Sequence, residues 1–192
     1  DPNRAVELYE GVLRDNPDLA DVRLRYASWL GAGDVRLTIS GKSGRVTMDS
    51  AWTMEAARRH VERLIDQVSP ESGQAAASHR LMAIVLMRSG QWPESVRECD
   101  LLLGRFPDLP AERRAEVLGI KGHGQYRQGL YAEALASFRA RYDLIPSDWG
   151  LWDIYQASLG LGGYPADLPR RCRFPLRPEP SGKGLPAAPK FR

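Results

Sequence analysis

Apolar residues recur at helical spacing along most of the chain. Near the start, Ala5, Tyr9, Val12 and Leu13 fall on one side of a helix predicted over 1–18. We interpret it as the second helix of a repeat unit that Pro17 closes. Similar stripes predict further helices over 20–31, about 49–68, 71–89, 93–106, 111–128, 131–145 and 148–160. The pattern therefore predicts an all-α chain with one interruption.

The interruption lies at 34–48, where the period changes from helical to alternating. Val35–Ser40 and Arg45–Met48 each alternate apolar and polar residues, and Gly41–Gly44 between them is turn-like. This pattern predicts a β-hairpin with a four-residue loop. Two interpretations stay open: a tolerated loop insertion, or an arm that offers a strand edge to a partner.

The second half of the chain contains the same motif twice, with a constant offset in residue number. The first copy recurs position by position in the second: Gly90, Trp92, Ser95, Cys99 and Pro107 match Gly129, Tyr131, Ala134, Phe138 and Pro146. The resulting 39-residue period is of the length that is typical of a helical repeat array.

A second interval shows where the hairpin was inserted. In two repeats, the small residue of the first helix precedes that of its partner by twelve positions: Ala83 to Ser95 and Gly122 to Ala134. The corresponding interval, from Ala27 to Ala57, is thirty positions long. About 18 residues have therefore been added inside a repeat, and the hairpin accounts for them.

The order glycine, aromatic, small, bulky, proline resembles the tetratricopeptide repeat, whose usual unit is ~34 residues of helix–turn–helix. The match is best in the unit with Gly122, Tyr131, Ala134 and Phe138, and covers roughly 1–33 and 49–164. Ser95 and Cys99 depart from the family's Ala and Phe, and Gln156 from its small residue.

The resemblance implies a right-handed α-solenoid over 1–164, of about three repeats plus a terminal helix, with 34–48 as an inserted hairpin. In the family, first helices line a concave groove that holds peptides or partner helices. The groove positions would be Arg25, Ser28, Arg80, Ile84, Met87, Arg88, Ile120, His123, Tyr126, Arg127, Asp153 and Ile154. Arginines beside apolar side chains favour a partly acidic, partly apolar peptide; the alternative is a solvated charged face.

Charge is distributed unevenly over the 192 residues. The net charge is +3, but residues 165–192 carry +5, which leaves −2 for 1–164. Binding to a nucleic-acid backbone needs a basic surface, so a nucleic-acid partner is disfavoured for the helical part. No apolar run approaches the ~18 residues of a membrane helix. The chain opens at Asp1 without a methionine, and we expect it to be a fragment.

No constellation of residues predicts catalysis, a metal or a cofactor. His60, His79 and His123 fall on three different predicted helices, and no pair has ligand spacing. His79 lies in a packing stripe, whereas His123 is expected to face the groove. Cys99 also lies in a stripe, so we expect an inert buried thiol.

The C-terminal segment 165–192 contains seven of the 14 prolines. It could be a linker to a further domain, an arm along the solenoid or a basic peptide for an acidic partner. The terminal helix 148–160 lacks a second half, so self-association through it is a further option.

Two functions follow from these patterns. The first is a protein-interaction scaffold that binds a partner in the groove. The alternative is an accessory domain that presents substrate to a catalytic domain elsewhere in a larger enzyme. The absence of a catalytic motif favours the first.

Overall fold

A computed structural model describes residues 2–31, 38–41, 44–47 and 50–163. In those residues the helices are α1 (Pro2–Asp15), α2 (Ala20–Gly31), α3 (Ser50–Gln67), α4 (Gly73–Arg88), α5 (Trp92–Arg105), α6 (Ala111–Arg127), α7 (Tyr131–Leu144) and α8 (Asp148–Gly160). The predicted all-α class is confirmed, and each predicted helix lies within three residues of an observed one at both ends. In the same ranges, no helix combines the length and apolarity that a bilayer span requires.

Two short strands separate α2 from α3. β1 (Thr38–Gly41) pairs antiparallel with β2 (Gly44–Thr47), with Thr38 opposite Thr47 and Gly41 opposite Gly44. Gly41 and Gly44 belong to the paired strands, so the four-residue loop predicted over 41–44 is wrong in its length. The expected role of the hairpin as an arm for a partner stays a prediction.

The helices pack in chain order, as expected for an array of helix pairs. Each helix contacts the next one along the chain, and α2 also contacts α4, as α4 contacts α6. We call α2, α4, α6 and α8 the first helices, and α3, α5 and α7 the second helices. The turns after α4, α6 and α8 contain Gly90, Gly129 and Gly162, each with φ near +77°, a conformation that glycine adopts without strain.

In two of the helix pairs, the first helix crosses its partner at a small residue. At Gly122, a Cβ atom would lie 2.5 Å from the ring of Phe138, which fills the space instead. One repeat earlier, the Ser95 hydroxyl donates a hydrogen bond to the Ala83 carbonyl at 2.8 Å. That bond satisfies a buried hydroxyl where the family resemblance led us to expect alanine.

Cys99 is fully buried beside Leu102 and Val117. Burial raises the pKa of its thiol to about 12. A thiol that stays protonated at neutral pH is a poor nucleophile, which agrees with the predicted structural role.

A buried polar network joins α2 to α3. Arg23 is 2% exposed, and its Nη2 donates to the Pro17 carbonyl at 2.6 Å and its Nε to Gln67 Oε1 at 3.2 Å. Its Nη1 lies 3.3 Å from His60 Nδ1. Because a guanidinium only donates, His60 Nδ1 must accept, and the Nε2–H is left to donate to Glu10 Oε1 at 3.2 Å. The network therefore requires neutral His60.

The network makes stability depend on pH. Burial, Arg23 and Arg63 lower the pKa of His60, and Glu10 opposes them in part. A lowered folded-state pKa gives stability that is complete above the unfolded value of about 6.5 and is lost as the pH falls through the folded value. We therefore expect the free energy of unfolding, from urea melts, to decrease below about pH 6.5.

His60→Gln is the matched control for this prediction, because glutamine can accept from Arg23 and donate to Glu10 without titrating. The variant should lose less stability than the wild type over the same pH range. If the free energy of unfolding fell equally with pH in both proteins, His60 would not be the cause of the pH dependence.

Candidate functional site

Side chains link adjacent first helices across one side of the array. Between α2 and α4, Gln74 Nε2 donates to Asp21 Oδ1 at 2.6 Å. Further along the same pair, Arg88 Nη1 donates to the Gly31 carbonyl at 2.8 Å. We call the side of α2, α4, α6 and α8 that carries such links the first-helix face.

Between α4 and α6, the link is a three-membered charge cluster. Glu116 bridges two guanidiniums: one carboxylate oxygen accepts from Arg80 Nη1 and the other from Arg113 Nη1, the latter at 3.2 Å. The Arg80 side chain is about a quarter exposed and that of Arg113 more than half. One carboxylate balances one of the two cations, so the cluster keeps a net positive charge.

Between α6 and α8, the link passes through Asp153, which is buried. Arg141 on α7 reaches across Gly119 and donates to Asp153 Oδ2 at 2.7 Å. His123 Nε2 lies 3.7 Å from the same oxygen, and its side chain is 47% exposed. Burial raises the pKa of Asp153, and the charges of His123 and Arg141 oppose that rise. The carboxylate is therefore held by Arg141, and the imidazole keeps one side open to solvent.

Exposed arginines and aromatic side chains lie together near the C-terminal ends of α4 and α6. Arg127 lies over the Trp92 ring, 5.7 Å from its centroid. The neighbouring Tyr126 makes an edge contact with Tyr131 at 5.4 Å. Arg88 precedes Arg127 by one repeat period, so both longer first helices end with an arginine in the last turn.

The predicted groove residues differ in their accessibility. Arg25, Ser28, Arg88, His123 and Arg127 are exposed; Arg80, Ile84, Met87 and Tyr126 are half-buried. Ile120, Asp153 and Ile154 are buried, so the prediction that they contact a ligand is not supported by their placement. Ile120 packs in the core between α4, α5 and α6, and Ile154 packs with Phe138.

His79 lies away from this face, as expected from its stripe. Its Nδ1 contacts Glu98 Oε1 on α5, and both side chains are mostly buried. The described residues contain no group of three or more His, Cys, Asp or Glu side chains placed to hold a metal ion.

Beside the charge cluster lies a cleft of about 310 Å³, which sequence reasoning missed. Its apolar lining comes from α4, α5, α6 and the turn before α6: Ala76, Ala77, Leu102, Leu109, Pro110 and Val117. The guanidinium side chains of Arg80 and Arg113 complete the wall. The one signal in the sequence was the 39-residue period, which exceeds the usual unit and requires extra residues in each repeat.

Comparison with known proteins adds no assignment: no protein-family model matches the chain, and neither does any curated protein.

Proposed function

We propose that this chain is a right-handed α-solenoid of the tetratricopeptide type, and that its first-helix face binds a protein or peptide partner. One observation carries the proposal. Four first helices, linked side by side through Gln74, Arg80, Arg88 and His123, share a single face. Such a continuous surface, made of several repeats, suits an extended partner.

The composition of the face supports an acidic partner with apolar side chains. Arg25, Arg88 and Arg127 are exposed, and half-buried Ile84 and Tyr126 lie on the same helices. The carboxylates of Glu116 and Asp153 are already paired with arginines. Asp21 is bonded only to the neutral Gln74 amide, but the three exposed arginines outnumber it, so these groups leave a net positive charge.

The hairpin is, in this proposal, an arm added within a repeat. α2 and α3 pack against each other as α4 and α5 do. The connection between α2 and α3 nevertheless runs from 32 to 49, whereas only 89–91 connect α4 to α5. Ala27 and Ala57 lie fully buried in one core cluster, so this helix pair meets at its two small residues despite the longer connection.

Charge reversal on the face tests the proposal. The variant Arg25→Glu/Arg88→Glu/Arg127→Glu changes one exposed arginine on each of α2, α4 and α6. Arg80 is left unchanged because a glutamate there would face Glu116. We expect at least a tenfold loss in partner retained in pull-downs from the native lysate, since each lost charge-assisted contact costs about 1.5–3 kcal/mol.

The matched control is Arg59→Glu/Arg97→Glu/Arg139→Glu, which changes one exposed arginine on each of the second helices α3, α5 and α7. Both variants carry the same net charge, so a general charge effect would reduce capture equally. Circular dichroism should show equal helicity in both. Equal retention of every captured protein by the two variants would contradict the proposal.

A further inference from the structure

The cleft beside Glu116 lies near the N-terminal ends of α4 and α6, which are longer than the corresponding end of α2. α4 begins at Gly73, ten residues before Ala83, and α6 begins at Ala111, eleven residues before Gly122. By contrast, α2 begins only seven residues before its small residue, Ala27. Gly73 and Arg113 of these added turns line the cleft, together with residues that lie further along the two helices.

The cleft has the size and lining for a large apolar side chain. Its volume of about 310 Å³ exceeds the roughly 150 Å³ cavity that holds benzene in an engineered core. The methyl groups of Ala77, Leu109 and Val117 contribute to an apolar wall. An inserted side chain would therefore exchange water for apolar contact.

The polar side of the cleft is cationic. Arg80 and Arg113 line it, whereas their shared partner Glu116 does not. Each guanidinium has five N–H donors, and the contact with Glu116 uses one on each. The remaining donors and the net positive charge suit a carboxylate, which arginine binds in a two-point fork.

The charge of the C-terminal segment 165–192 makes that segment an unfavourable occupant of the cleft. Residues 165–192 carry a net charge of +5, so they would bring like charge to Arg80 and Arg113. A partner with negative charge next to an apolar side chain complements both walls.

We propose that this cleft binds a partner peptide in which a large apolar side chain lies next to a carboxylate. The apolar side chain fills the space between α4 and α6, and Arg80 and Arg113 hold the carboxylate. The inference rests on the proposed partner-binding function, but its peptide site is separate from Arg25, Arg88 and Arg127. The carboxylate can belong to an aspartate or glutamate side chain or to a C-terminus.

Methyl NMR of the 192-residue chain tests the site directly. The probes are acetyl-Gly-Leu-Asp-Gly-amide, its Asn analogue, and acetyl-Gly-Gly-Leu with a free C-terminal carboxylate. We expect the methyl signals of Ala77, Leu109 and Val117 to shift with the Asp peptide, while those of Val61 in the N-terminal core stay fixed. The Asn peptide should bind about tenfold more weakly than the Asp peptide, or weaker still. The affinities of the Asp peptide and of acetyl-Gly-Gly-Leu show whether the site prefers a side-chain or a C-terminal carboxylate.

Two variants make the result specific. Arg113→Gln should weaken binding of the Asp peptide by about tenfold or more. Its control is Arg97→Gln, because Arg97 forms a comparably exposed ion pair with Glu94 at spacing i,i+3. Ala77→Leu fills the cleft and should block all three peptides, with unchanged Val61 signals as the check on folding.

Equal affinity of the Asp and Asn peptides, or shifts confined to methyls outside the cleft, would overturn the inference. So would cleft shifts that depend on protein concentration without peptide, because the occupant would then be a second copy. The variant Arg25→Glu/Arg88→Glu/Arg127→Glu separates this inference from the proposed function. If that variant loses its cellular partner but the wild type binds no carboxylate peptide, the face proposal stands and the cleft inference fails.

Discussion

Replacing Phe138 with alanine is expected to lower the free energy of unfolding by about 3–5 kcal/mol. Phe138 is 1% exposed and packs against Ala134, Ile154 and Ala157, so its ring fills the junction of α6, α7 and α8. It also makes a T-shaped contact with the His123 ring, with centroids 5.1 Å apart. Gly122 approaches the ring so closely that the helices cannot collapse much further into the cavity. Urea denaturation followed by circular dichroism measures the loss.

A double-mutant cycle tests whether the contact between Gly122 and the Phe138 ring limits how closely α6 approaches α7. Gly122→Ala should cost about 1–3 kcal/mol in the wild type, because its new methyl group overlaps the Phe138 ring. In a Phe138→Leu background, the same change should cost clearly less. Equal costs in both backgrounds would show that the ring does not limit the approach of α6 to α7.

The second large effect is expected at the other end of the array, where Arg23→Ala should cost about 2–4 kcal/mol. The change removes the donors to His60 and Gln67 and leaves a cavity where a nearly fully buried side chain lay. The Pro17 carbonyl keeps a second donor, Gln67 Nε2 at 3.0 Å, which limits the loss. Denaturation with urea gives the free energy.

Arg25→Ala is the matched control, because Arg25 lies exposed on the same helix. We expect it to change stability by less than about 0.5 kcal/mol. Hydrogen exchange adds a test of location, since repeat arrays are stabilised mainly by contacts between neighbours. Arg23→Ala should accelerate exchange in α2 and α3, and Phe138→Ala in α7 and α8. A loss for Arg25→Ala as large as for Arg23→Ala would contradict the network's role.

The positions of the helices could be predicted from sequence because the apolar stripes and the 39-residue period specify them independently. The pattern also contained evidence for the buried network. Arg23 lies at helical spacing from Ala27 and Leu30, which are both fully buried. An arginine in such a stripe requires several acceptors, but the sequence alone does not show that His60 and Gln67 supply them.

The candidate face was harder to predict, because periodicity identifies the side of a helix but not what covers it. Ile120 and Ile154 are predicted to lie on the groove side, yet neighbouring helices bury them. Arg80 is also on that side, but its partner Glu116 comes from the next first helix. Such contacts between repeats depend on how closely the helices approach, which the spacing of residues does not encode.

The cleft depends in part on differences between repeats, because Gly73 and Arg113 belong to turns that α2 lacks. Alignment of the repeats emphasises Gly90, Trp92 and their equivalents and passes over the extra N-terminal turns. Arg113 and Pro110 lie at that added end of α6, so a search for the common motif does not find them.

Site-specific photo-crosslinking tests the central claim, that partners bind the first-helix face, most directly. A photoreactive amino acid would replace Arg88 or Arg127 on the face and, in the controls, Arg97 or Arg139 on second helices. We predict that the captured partner is crosslinked from Arg88 and Arg127 and not from Arg97 or Arg139. Crosslinking only from the second helices would contradict the account and place the binding surface on the other side of the array.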